Sequence, residues 1–445
     1  MIKMVQTEIG ITIDQGLKKL EKIIISRLNS FSKGTPYINP VLDTYQWSGM
    51  LQSILPIDTI SLEEEIVFTL ALVPHIRPHF IDQIIQDVYP NGGTLPQLGG
   101  IRGKNHRGFL PTGETALFLL SGEDLEKRFK IQQMFTSEHW FSKKQVLSLA
   151  SNGKEEPALS GQLIVDQEYI EKITLGKASK PKFSNEFPAA LIVTQMEWED
   201  LVLPSQTKQQ IHEILIWLTH HKTLMKDLGM DRKLKPGFRA LFYGPPGTGK
   251  TLTANLLGKF TTRDVYRVDL STVVSKYIGE TEKNLSNLFN RAENKDWILF
   301  FDEADALFGK RTNVQNAHDR YANQEVAYLL QRVEEYQGLI ILASNFKSNI
   351  DEAFIRRFQS IIHFPMPKSN ERFRLWKNAF PEKITLLDDV NFKQLSQQFE
   401  LSGADIMNIV QHVCLNSLSR DKLTISNKAI LEGIQREFIK TGKIC

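Results

Sequence analysis

The chain has 445 residues, 41% hydrophobic and 24% charged, with a formal net charge of +3. That is a soluble globular composition, long enough for several domains with cores of their own. The charge is too slight, and too evenly spread, for a protein devoted to nucleic acid. Its two cysteines, Cys414 and Cys445, imply no disulfide framework. The opening MIKMVQTEIGITIDQG lacks the basic-then-apolar order of a signal peptide. The longest apolar run, 66–73, stops at Pro74, far short of a membrane span. A reducing, cytoplasmic compartment and no membrane partner are expected.

Residues 1–185 read as an independent α+β domain for recognising a partner or cargo. Apolar residues at helical spacing (Ile13, Leu17, Leu20, Ile24, Leu28) predict a helix over 11–28, and 62–76 predicts another. The glycine-dense stretch 91–113 reads as loop, and short alternating stretches such as 162–165 read as strands. A winged-helix element is compatible with this pattern. GKASKPKFSNEFP, 176–188, reads as a linker.

From 186 to 366 strands and helices alternate. Strands are expected at 239–243, 265–269, 297–301, 339–343 and 361–364, with helices at 251–258, 281–293 and 323–335. Such alternation predicts a parallel five-stranded sheet between two helical layers. After Pro367 the strands stop, and an all-α lid is expected over 367–445.

GPPGTGKT, 244–251, follows a predicted strand and precedes a predicted helix, the context a phosphate-binding loop needs. Gly244, Gly247 and Gly249 let the backbone N–H groups of the loop, which also contains Pro245, Pro246 and Thr248, turn inward around phosphate oxygens. The helix that begins with Thr251 and Leu252 adds its positive end. Lys250 supplies a mobile charge for the β- and γ-phosphates of ATP, and the Thr251 hydroxyl is a ligand for Mg²⁺. WILFFDEAD, 297–305, is an apolar strand ending in acids, and is read as the neighbour of the loop strand. Asp302 is expected to hold the Mg²⁺ shell. Glu303 is placed to deprotonate the attacking water, since an ionised carboxylate accepts a proton beside the γ-phosphate without attacking it.

With these motifs in place, residues 197–445 resemble an AAA ATPase of the subgroup of protein unfoldases and complex-disassembling motors. WEDLVL, 198–203, is similar to the segment beside adenine, which implicates Asp200 and Leu201, although Val202 and Leu203 stand where the family often has glycines. By the same resemblance Asn345 is the polar sensor of the γ-phosphate. DEAFIRRF, 351–358, resembles the arginine-finger region, which implies Arg356 and Arg357 as fingers, with Gln359 and Ser360 replacing later arginines. Gly403 and Ala404 in LSGAD approach the nucleotide. Fingers act on a neighbour's ATP, so the resemblance implies a homo-hexameric ring. Tyr277 and Ile278 in SKYIGETEKNL resemble a pore loop that grips polypeptide, and 309–321 resembles a second lining loop.

Three stretches within 300–365, FFDEADALFGKRT, AHDRYANQEVAYLLQRVEEYQG and SNIDEAFIRRFQSIIHFP, also resemble the ATPases encoded with bacterial extracellular contractile injection systems. That implies assembly of a phage-tail-like particle or loading of its cargo. Three readings stay open: a protein-remodelling motor, a nucleotide-switched scaffold, and a nucleic-acid motor. The last is supported only by the basic loop IRGKNHRG, 101–108, and is opposed by the slight net charge.

Overall fold

The computed structural model describes the chain apart from residues 1, 38–39, 41–44, 93–94, 152, 154, 185–186, 271–279, 294, 305–316, 346–351, 420–422, 441 and 443–445. It divides into two compact units, Met1–Lys180 and Pro181–Cys445. The division falls inside the expected linker, five residues before the expected 185/186 boundary, and the lid belongs to the second unit rather than standing apart.

The first unit is mostly helical. Its long helix α1 (Ile2–Lys33) lies with α2 (Tyr45–Ile54), α3 (Leu62–Ile76) and α4 (Phe80–Val88) around one apolar core. Strands β1 (Ile101–Arg102) and β2 (Phe109–Leu110) pair antiparallel, as do β3 (Leu147–Leu149) and β4 (Leu163–Val165). Helices α5 (Gly113–Ser121), α6 (Leu125–Gln132), α7 (Trp140–Lys143) and α8 (Gln167–Leu175) complete it. The apolar stripe of α1 predicted from spacing is buried at Leu17, Leu20, Ile24 and Leu28.

The second unit is built on a sheet of β5 (Ala189–Ile192), β6 (Phe238–Tyr243), β7 (Val265–Val268), β8 (Ile298–Phe301), β9 (Leu339–Ser344) and β10 (Ser360–His363). The order is β10-β6-β9-β8-β7-β5, parallel except for β5. Two expectations are corrected here. The sheet has six strands and is mixed, because the short apolar stretch after the linker pairs antiparallel with β7 and covers that strand's edge. Strand β8, which runs into Asp302 and Glu303, is also not the neighbour of the loop strand β6, since β9 lies between them.

The runs that read as continuously apolar in sequence divide by parity between the two faces. Ile298 and Phe300 join Ile341 and Ala343 under α9 (Ser205–Lys222) and α10 (Lys250–Thr261). Leu299 and Phe301 join Ile340 and Leu342 under α11 (Glu280–Ala292) and α12 (Ala317–Glu335). Fully burying each such side chain stabilises by about 1.5–3 kcal/mol. Beyond the one-turn helix α13 (Glu352–Ile355), the lid contains α14 (Ser369–Ala379), α15 (Phe392–Gln398), α16 (Gly403–Leu418) and α17 (Asn427–Lys440) around a core of its own. It is not all-α: β11 (Thr385–Leu386) and β12 (Thr424–Ile425) form a two-residue parallel ladder that ties the α14–α15 and α16–α17 connections together.

Gly258 lets α10, the helix that carries Lys250, sit close on β7. A Cβ there would lie 2.2 Å from Val265 Cγ2 and 2.7 Å from Arg263 O. Gly258→Ala should therefore destabilise the second unit by about 1–3 kcal/mol, read as a lower urea midpoint for its unfolding.

Candidate functional site

The carboxyl ends of β6, β9 and β8 lie side by side, and each delivers a residue that the sequence singled out. After Tyr243 the chain turns at Gly244, whose N–H donates to Ser344 O at 3.2 Å. Its φ of 146° and a Cβ position 2.0 Å from Phe364 O leave room only for glycine. Gly249, at φ 101°, precedes the first turn of α10. Between them Thr248 Oγ1 donates to Pro245 O at 2.9 Å, closing the loop on itself.

Lys250 is 9% exposed. Its ammonium donates to Gly244 O at 2.6 Å, Pro245 O at 3.0 Å and Asn345 Oδ1 at 3.4 Å. The ammonium thus joins the loop to the residue that follows β9. Phosphate oxygens at the loop would compete with the two carbonyls for the same protons, and a full negative charge wins that competition.

On the other side of β9, Ala304 N–H donates to Ala343 O at 2.8 Å and locks the end of β8 to β9. Asp302 Oδ1 accepts from the Glu303 N–H at 3.1 Å. Glu303 is exposed, and its φ is 50°, a left-handed conformation that costs a side-chain-bearing residue about 1–2 kcal/mol. Such strain concentrates at functional positions. Thr251, in the first turn of α10, is half-buried. A hydroxyl there and the carboxylate of Asp302 are hard oxygen donors of the kind that suit Mg²⁺.

Beside the loop lies a cavity of about 250 Å³. That is a little below the roughly 300–1,000 Å³ of ordinary ligand pockets. One wall is Asp200, Leu201, Val202 and Leu203, and another is Gly247, Thr248, Gly249 and Leu252. The third comes from the lid: Gly403, Ala404 and Met407, with Leu375, Asn378 and Ala379 of α14. Val202 and Leu203 form part of the wall despite departing from the glycine pair. The lid touches the loop directly, since Ala404 N–H donates to Gly247 O at 3.2 Å. A Cβ on Gly247 would lie 2.6 Å from Ser402 Oγ and 2.7 Å from Ala404 Cβ. Met407, Asn378 and the Pro365–Pro367 corner were not foreseen. Met407 follows the glycine–alanine pair by one helical turn, which was a usable signal; the others carried none.

The two arginines are placed differently. Arg356 is exposed and makes no ion pair or hydrogen bond among the described residues. Arg357 is paired through Nη1 with Glu334 Oε1 at 2.8 Å. Glu334 also accepts from Lys235 Nζ at 2.9 Å. That hydrogen bond lowers its carboxyl below the usual glutamate range; burial opposes it, and the charges of Arg357, Lys235 and Arg239 reinforce it. Gln359 is structural: its Oε1 accepts from Arg239 N–H at 2.8 Å, and its own N–H donates to Arg239 O at 3.0 Å. Tyr277 and Ile278 lie outside the described residues, as do 309–316.

The family model for the "ATPase family associated with various cellular activities (AAA)" matches residues 240–366. Cell division protein C of Sulfolobus acidocaldarius is 31% identical over 261 residues, 56% of this chain and 67% of its own length. The chain belongs to the AAA family of ATPases. The chain is also 32% identical to the 26S proteasome regulatory subunit 6B homolog of Dictyostelium discoideum and 33% identical to the proteasome-activating nucleotidase of Methanosarcina mazei. These matches cover 52% and 46% of this AAA chain and 59% and 50% of the relatives, so it spans little more than half their length.

Glu303→Gly should raise the stability of the second unit by about 1 kcal/mol, the relief of left-handed strain less the entropy glycine loses on folding. Urea unfolding checks this. An unchanged or lower midpoint would mean that the conformation carries no strain.

Proposed function

We propose that this chain is an ATP-driven motor that works as a ring of identical copies and remodels protein partners. The observation that carries the reading is the uneven assembly of its site. Within one chain Lys250, Asn345, Asp302 and Glu303 converge on neighbouring strand ends, while Arg356 stands exposed with no partner of its own among the described residues. A guanidinium that neutralises the γ-phosphate in the transition state contributes roughly 10³–10⁵ in rate. Arg356, with Arg357 beside it, is offered to the ATP of an adjacent copy.

In this reading the loop N–H groups and Lys250 hold the phosphates, and the cavity wall from Asp200 to Leu203 holds the base against Gly403 and Ala404. Thr251 and Asp302 would hold Mg²⁺, which when bound offsets phosphate charge. Asn345 orients the attacking water, and Glu303 takes its proton. Lid and loop share the Ala404–Gly247 bond, so a change at the phosphates reaches the lid through one backbone contact.

The relatives named for proteasomes and cell division support protein as the material worked on. The narrower role, assembling a contractile injection particle or loading its cargo, is supported by the stretches within 300–365 alone. Among the described residues no helix is long and apolar enough to cross a membrane.

Mixing Arg356→Ala with Lys250→Ala subunits tests the shared site. Each is expected to be inactive alone, and mixed rings should recover part of the ATPase activity. Mixed rings that form and stay inactive would sink the reading. Tyr277→Ala separates motor from scaffold. It should keep ATP turnover and ring assembly but lose partner remodelling, because each aromatic grip contributes about 1–3 kcal/mol of buried apolar surface. Full remodelling by Tyr277→Ala favours the scaffold.

A further inference from the structure

The sheet has two edges, and the structure treats them differently. β10 is closed by α9, where Thr207 Oγ1 donates to His363 O at 2.9 Å. β5 has no described element beyond it. Asp269 N–H donates to Pro188 O at 3.1 Å, and the ladder pairs Ala190 with Arg267 and Ile192 with Val265. Inward-bonding residues alternate in an antiparallel pair, so Ala190 and Ile192 bond β7 while Leu191 turns its N–H and C=O outward, and Val193 continues the row.

Natural edges are blunted by lysine, proline or a bulge. From Ala189 to Thr194 this edge has neither lysine nor proline, and Val193 is 77% exposed. A groove runs along it between the strand and the end of α10, lined by Leu191, Ile192, Val193 and Val265 together with the charged Lys259, Arg263 and Asp264. Charge marks the same place. Arg267 lies two residues from Val265 on the same face of β7, is exposed, and its guanidinium makes no ion pair or hydrogen bond among the described residues. Its cross-strand neighbour on β5 is Ala190, small enough for a guanidinium to pass over. Two strand spacings, roughly 9–10 Å, separate β7 from a strand added outside β5. An arginine and a glutamate side chain together span that distance.

We infer that β5 is a docking edge for an extended polypeptide segment of a partner protein, with apolar residues alternating with acidic ones. The segment adds as a seventh strand through the outward groups of Leu191 and Val193 and places a carboxylate against Arg267. Main-chain pairing provides the affinity, and the alternate side chains provide the selectivity. The inference is independent of the nucleotide site, which lies at the carboxyl ends of other strands.

The test uses the full chain and a fluorescein-labelled peptide, Val-Glu-Val-Glu-Val-Glu-Val, followed by anisotropy. It should bind, and the peptide with lysine in place of glutamate should bind at least about tenfold more weakly. Leu191→Pro removes an outward N–H without touching the β5–β7 ladder, so binding should fall at least about tenfold while ATP turnover is kept. Val193→Pro repeats the test one register further if circular dichroism shows Leu191→Pro to be misfolded. Arg267→Glu should reverse the preference between the two peptides. Failure of the glutamate peptide to bind, equal binding of both peptides, or full binding by both proline variants would overturn the proposal. So would a self-association of the chain that Leu191→Pro abolishes, because the occupant would then be a second copy.

Discussion

The position of β9 between β6 and β8 is the constraint on which the site depends. A parallel sheet places all its carboxyl ends on one side, but only neighbouring strands bring side chains within hydrogen-bond reach. With β9 in the middle, Asn345 meets Lys250 on one flank, and Ala343 O anchors the turn after Asp302 on the other. All six residues of β9 are buried, and a slip by one residue would exchange the side chains packed under α9 and α10 with those packed under α11 and α12. The register that packs the core therefore also sets the spacing of the chemistry.

Close approach does the rest. Gly244 passes under Phe364 O, and Gly247 sits against Ser402 and Ala404 at distances that no Cβ allows. The loop is thus held between the sheet and the lid and responds to both. The lid's capping box, in which Ser402 Oγ accepts from Asp405 N–H at 3.2 Å and Asp405 Oδ2 from Ser402 N–H at 2.8 Å, fixes the start of α16 that meets the loop. That contact explains why lid and sheet form one unit although each has its own apolar core.

The arginine segment is built on a second framework. Arg239, at the start of β6, donates to the Val333 and Glu334 carbonyls at the end of α12, where a cation is favoured by the helix dipole. Glu334 in turn holds Arg357, and Gln359 bonds the backbone of Arg239. The strand that carries the phosphate loop and the segment that carries the arginines are therefore parts of one hydrogen-bonded frame.

The local chemistry was legible in the sequence because it depends on short spacings. Glycines at 244, 247 and 249, a lysine before a helix, and two acids after an apolar run mark a candidate phosphate loop and a candidate hydrolytic strand wherever the chain folds. The five parallel strands and the helical character of the lid followed from local pattern for the same reason. What sequence could not supply was adjacency. The β9 insertion between β6 and β8, the antiparallel β5, the β11–β12 ladder and the cavity wall from α14 each join segments far apart in the chain, and no local pattern records which partner wins. The difference between Arg356 and Arg357 is of this kind. The two are consecutive in sequence, but only packing places Glu334 beside one and leaves the other without a partner among the described residues.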